Sequence, residues 1–153
     1  MASRALTLFR RLGASAPGRW LCSRLICWQA PYFSTIRPRV ELLEPGACVV
    51  HFRQRRAIQN HIGSVHAIAL CNAAELAGGL ATDATIPASM RWIPKGMSVR
   101  YLAKARGRLV ASARVPAVAD GPARDVHAVV EVRDADGVVV FDADINMWVS
   151  PKA

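Results

Sequence analysis

Within residues 60–84, NHIGSVHAIALCNAAELAGGLATDA, the small and apolar run between His66 and Thr82 holds one carboxylate, Glu75. Such company takes charge out of water, which raises a carboxyl pKa and costs several kcal/mol unless hydrogen bonds compensate. A carboxylate retained there is a candidate nucleophile or general base. The plainer alternatives are a structural carboxylate paired with an arginine, or one capped by Asn72 three residues before it. Just upstream stand Asn60, His61, Gly63, Ser64 and His66. Ser64 suits a helix N-cap, leaving the amides of Val65, His66 and Ala67 without intrahelical acceptors. A helix start of this kind can hold a carbonyl oxygen or an oxyanion.

His66 and Glu75 are nine residues apart, about 13 Å of helical rise and two and a half turns. They point to opposite sides of the helix. One chain cannot easily unite them, whereas a two-fold dimer can set the helix start of one subunit against Glu75 of the other. His61, His66 and Cys71 recur every five residues, which does not keep them on one helical face, and HExxH is absent. Cys22, Cys27, Cys48 and Cys71 form neither a CxxC pair nor a zinc spacing. No metal and no cofactor are therefore expected, and the thiols are expected to be reduced.

The elements that must carry these residues follow from periodicity. Two short helices, about 2–12 and 18–28, are split by GASAPG; RVELLEPGACVVHFRQRR then reads as two strands turning at Glu44-Pro45-Gly46. After the long helix, Val99, Tyr101, Ala103 and Ala105 alternate with polar or flanking residues, as a half-solvated strand does. RLVASARVP and DVHAVVEVRD follow as strands, and Asp136-Gly137 turns the chain into VVVFDADINMWV. Short connections demand antiparallel pairing. The expected fold is α+β: a long central helix wrapped by a five- to six-stranded antiparallel sheet, the hotdog arrangement, over residues 31–153, behind an N-terminal helical segment at 1–30.

Asn60-x-x-Gly63-x-x-His66 with Glu75 nine residues on resembles the motif of hotdog thioesterases of the phenylacetate-pathway and 4-hydroxybenzoyl-CoA thioesterase kind. APYFSTIRPRVELLEPG, NHIGSVHAIALCNAAELAGG and RWIPKGMSVRYLAKARG look more closely like an uncharacterised bacterial branch of that superfamily. The likeness runs from about Trp20 to Trp148 and is most specific in the central helix. It implies Glu75 as nucleophile or general base, the Ala67 amide as the group polarising the thioester carbonyl, Asn60 orienting substrate or water, and His66 shaping the loop. It also implies a site between subunits of a homodimer or homotetramer. Where the family motif has two glycines after the histidine, this chain has Ala67 and Ile68, whose side chains narrow the approach to the site.

The chain of 153 residues carries a net charge of +9, largely from arginine, which favours anionic partners. Arg91, Lys95, Arg100 and Lys104, beside RQRR at 53–56, are candidates to grip the phosphates of coenzyme A or to meet an acidic acyl-carrier protein; the alternative is a solvated sheet face. No recognition helix or exposed aromatic series accompanies the charges, so nucleic acid is not expected. No 18-residue apolar run exists, so no transmembrane helix is expected either. The first forty residues hold seven arginines and no acid, which would also suit a mitochondrial presequence. Trp20, Leu21, Leu25, Ile26 and Trp28, however, continue a helical apolar pattern suited to docking on the domain, and the expected location is cytoplasmic. The expected activity is hydrolysis of acyl-CoA thioesters; the alternative is an acyl-thioester-binding or structural hotdog protein without turnover.

Overall fold

The computed structural model describes residues 3–152. Six strands form one antiparallel sheet: β1 (Arg39–Glu44), β2 (Ala47–Arg53), β3 (Met90–Tyr101), β4 (Arg108–Arg114), β5 (Arg124–Arg133) and β6 (Val139–Pro151). Their spatial order is β1-β2-β4-β5-β6-β3. The central helix, α3 (Ala67–Thr85), lies between β2 and β3 in sequence and packs on one face of the sheet, touching every strand. This is the hotdog fold.

The strict alternation in β4, β5 and β6 puts one set of side chains under the helix. Leu109, Ala111 and Ala113, then Val126, Ala128, Val130 and Val132, then Phe141, Ala143, Ile145, Met147 and Val149 are all buried. Opposite them α3 presents mostly alanine and glycine: Ala73, Ala74, Ala77, Gly78 and Ala81 are buried. A face of such small side chains lets helix and sheet approach closely. At Gly78 an added Cβ would stand 2.9 Å from Ile145 Cδ1 and 3.4 Å from Ala128 Cβ.

β3 begins earlier than its period-two pattern indicates, at Met90 instead of near Ser98. Pro94 and Gly96 hide its first half. Both are tolerated because β3 is an edge strand with a register irregularity between these two residues.

Residues 3–36 cap the opposite flank of α3. Helices α1 (Arg4–Leu12) and α2 (Ala16–Gln29) start at Ser3 and Ser15, whose side chains accept from the amides of Leu6 and Gly18. A 3-10 turn, Pro31–Ile36, leads to β1. The buried Ser23 hydroxyl donates to the Arg19 carbonyl at 2.7 Å and accepts from the Val40 amide at 2.9 Å, fastening α2 to β1. From the helix side, buried Asn72 donates to Thr35 Oγ1 at 2.9 Å, so it ties α3 to the cap and does not serve Glu75. Among the described residues no helix is long and apolar enough to cross a membrane.

Candidate active site

The loop before α3 is built around Asn60. Its Oδ1 accepts from the amides of Ile62 (3.1 Å) and Ser64 (3.0 Å), and its Nδ2 donates to the Ser64 hydroxyl at 2.9 Å. Gly63 closes the turn at φ +73°, a left-handed conformation in which a side chain is strained. With Ser64 buried and bonded to Asn60, the N-cap falls two residues later than expected, on His66, whose Nδ1 accepts from the Ile68 amide at 3.1 Å. His66 thus shapes the helix start, and its ring nitrogen toward the helix acts as an acceptor.

The three amides expected to be free reduce to one. Val65 N–H donates to Ala105 O (2.9 Å) and His66 N–H to Ile58 O (2.8 Å). Ala67 N–H has no acceptor among the described residues. It borders a cleft of about 350 Å³ together with Asn60, Leu70, Tyr101 and Lys104. A single unpartnered amide at the positive end of a 19-residue helix is suited to polarising a carbonyl oxygen.

Glu75 does not share that cleft. It lies two turns along the helix, about 12 Å of rise from Ala67, and it is exposed, not desolvated as its apolar surroundings in the sequence suggested. The reason is that α3 is covered on its sheet side and on its cap side but open along the stripe of Ile68, Cys71 and Glu75. Glu75 borders two neighbouring depressions. One is shared with Pro94, Gly96 and Met97 of β3; the other lies between α3, the cap and Trp92.

The four cations part company. Lys104 stands in the Ala67 cleft. Arg100 makes a two-pronged pair with Asp142 (Nε–Oδ1 2.9 Å, Nη2–Oδ2 2.5 Å). Lys95 borders the Glu75 groove, but its ammonium bonds Asp125 at 3.1 Å and lies 4.5 Å from the Trp148 ring centre. Arg91 reaches Ser150 at 3.4 Å. These three sit with the outward residues of β6, on the sheet face away from α3. Among the described residues no three His, Cys, Asp or Glu side chains gather as metal ligands would.

Two features were not drawn from the sequence. Cys71 Sγ and Tyr101 Oη are 3.4 Å apart, joining α3 to β3 beside the Ala67 cleft. Gly79, one turn beyond Glu75, faces the Trp92 ring, and Trp92 Nε1 points at Asp83 Oδ1, 3.4 Å away. The spacing of Cys71, Glu75, Gly79 and Asp83, four residues each, was the available signal: it draws one stripe along the helix.

Residues 18–149 match the family model described as "Domain of unknown function (DUF4442)". The chain belongs to the DUF4442 family. The match begins inside α2, so it takes in most of the cap's second helix and all six strands except the last two residues of β6. This DUF4442 chain is similar to a structural-genomics protein designated APC5556, at 43% identity over 97% of this chain and 98% of that one, with TM-score 0.83. PA5026 from Pseudomonas aeruginosa, called a protein of unknown function and a "Probable Thioesterase", matches at 23% identity over 86% of this chain and 95% of its own, with TM-score 0.75. SAV0944 from Staphylococcus aureus, called a thioesterase enzyme, matches at 15% identity over 79% and 99%, with TM-score 0.70; it is known with a glutamine or a glutamate fifteen positions further on replaced by alanine. The last two likenesses establish the fold. No curated protein matches the chain.

Proposed function

We propose that this DUF4442 protein hydrolyses acyl thioesters at a site completed between two copies of the chain. The observation that carries the proposal is the unpartnered Ala67 amide at the start of a helix whose one exposed carboxylate, Glu75, stands two turns further along and outside the Ala67 cleft. The Ala67 amide of one subunit holds the thioester oxygen. Glu75 of the other takes a proton from water as that water bonds to the carbonyl carbon. The C–S bond then breaks, Glu75 returns the proton to the leaving thiolate, and the products are a carboxylic acid and a free thiol.

A two-fold arrangement is supported by β3. This strand is 12 residues long, stands at the sheet edge, and has no strand on its outer side among the described residues. A long open edge is a template for pairing with another strand, and antiparallel pairing of two β3 strands lays the two α3 helices side by side in opposite directions. That PA5026 is called a probable thioesterase and SAV0944 a thioesterase enzyme supports the reaction class. So does the fifteen-residue separation of the two replaced positions in SAV0944, the same as from Asn60 to Glu75. The net charge of +9 suits the phosphates of coenzyme A or an acidic acyl-carrier protein equally, and Lys104 is the cation nearest the Ala67 cleft.

The test is thiol release from short, long and aromatic acyl-CoAs, with Glu75→Gln in parallel and sedimentation measured on both. A dimer whose turnover falls at least a hundredfold in a folded, dimeric Glu75→Gln establishes the reaction and its base. A second reading, an acyl-thioester-binding protein without turnover, draws on Ala67 and Ile68 standing where the motif of similar thioesterases has two glycines. It predicts stabilisation of both proteins by acyl-CoA with no thiol released.

A further inference from the structure

The cleft between the N-terminal cap and α3 extends the Glu75 site in a direction that neither the motif nor the sheet supplies. It measures about 380 Å³ and is walled on one side by Ile26, Ala30 and Phe33 of the cap. The other wall is α3 itself, through Leu76, Gly79 and Leu80, with the Trp92 ring across from Gly79. Its surface is mainly hydrocarbon and aromatic. Glu75 stands at one end and Asp83 at the other, eight residues along the same helix, or about 12 Å. Any larger side chain at position 79 takes space from the cleft, since even a Cβ there meets the Trp92 ring at 2.9 Å.

We infer that this cleft is the acyl chamber, taking an unbranched aliphatic acyl group of medium length whose thioester carbon lies at Glu75 and whose tail runs along α3 toward Asp83. This rests on the thioesterase reading for the position of the thioester carbon, and extends it by naming the acyl class and the wall that selects it. Three observations favour an aliphatic tail. The lining is apolar, so burying methylene groups there is favourable. The volume accommodates on the order of a dozen groups of water or methylene size, at about 30 Å³ each. The far end is marked by the Asp83 carboxylate and Gln29, polar groups that lose water contacts if an apolar tail passes them, which sets a limit on length. The cap is fastened firmly enough to serve as a wall: Ser23 bonds Val40, and Asn72 bonds Thr35.

The experiment compares kcat/KM for butanoyl-, octanoyl- and hexadecanoyl-CoA in the wild type, Ala30→Phe and Gly79→Leu, which fill the cleft from opposite walls. The expected wild-type preference is for octanoyl-CoA, and each filled variant lowers the octanoyl-to-butanoyl ratio at least tenfold. An unchanged ratio in Ala30→Phe, shown to be folded by its circular dichroism, overturns the assignment even if Gly79→Leu fails to fold. If the wild type releases no thiol from any substrate, the hydrolase reading fails and the chamber is judged separately by titration with S-octyl-CoA, a thioether that cannot be hydrolysed. Binding by the wild type that weakens at least tenfold in Ala30→Phe upholds the chamber without the reaction; equal binding in both, or none in the wild type, overturns it.

Discussion

The thiol of Cys71 lies 3.4 Å from the hydroxyl of Tyr101, joining the central helix to the edge strand at the border of the Ala67 cleft. This contact, then burial and the charge Cys71 would carry, push the Tyr101 hydroxyl up to about 12. Burial alone pushes the Cys22 thiol, in the cap, up to about 11 from 9.0. Both groups are favoured in their protonated forms by folding. Their contribution is complete below the unfolded values and is lost as pH rises through the folded ones. The melting temperature should therefore hold steady up to about pH 9 and fall beyond it. Cys22→Ala should flatten the decline that starts near pH 9, and Cys71→Ala should move the Tyr101 ultraviolet titration to lower pH.

Cysteine labelling separates the four thiols. Cys22, Cys27 and Cys48 are buried and Cys71 is half-buried; burial raises the first three above the ordinary thiol value. Since the thiolate is the reactive form, a maleimide at neutral pH should mark Cys71 first, read by mass spectrometry of peptides. Slower labelling of Cys71 at high protein concentration than at low would report that association covers this edge of α3.

Gly78 and Gly79 are adjacent but face different neighbours. A methyl at 78 enters a space bounded by Ile145, Ala128 and Val130, all in the sheet, whereas the nearest atoms to a methyl at 79 are those of the Trp92 ring. Gly78→Ala should cost about 1–3 kcal/mol through overpacking. In Gly79→Ala the ring can shift, and the helix gains up to about 1 kcal/mol from replacing glycine, so the net change should stay within about 1 kcal/mol. Urea unfolding of the two variants checks the difference.

Asn60 gives a contrast between two substitutions. Asn60→Ala removes the three side-chain bonds that Asn60 makes in the loop and leaves the buried Ser64 hydroxyl without its donor. A cost of about 1–3 kcal/mol is expected. Asn60→Asp keeps the acceptor for the amides of Ile62 and Ser64, and the Ser64 hydroxyl can turn to donate. It should recover most of that stability in the same unfolding measurement.

How far the sequence discloses this protein depends on where each side chain's partners lie. The α3 segment is legible because its apolar run is long, and β4 to β6 because one face is buried and the other wet. The first half of β3 is not, since an edge strand exposed on both faces has no alternation to impose and can hold Pro94 and Gly96. The exposure of Glu75 is hidden for a related reason: the composition of a helix does not say which of its sides the fold leaves uncovered. Ser64 has the residue type of an N-cap, but Asn60, four residues earlier, occupies it. The stripe from Cys71 to Asp83 was present in the spacing, yet its meaning came only from β3 and the cap lying on either side.

The hydrogen bond from the Val40 amide to Ser23 also bears on trimming of the arginine-rich beginning of the chain. Removing residues through the end of α2 would strip the buried Val40 amide of its acceptor and unroof Leu76 and Leu80, both buried on α3. A protease that leaves the folded domain intact must therefore stop short of α2, in or before the segment between the two helices. Whatever address the first dozen residues carry, the next seventeen belong to the body of the molecule.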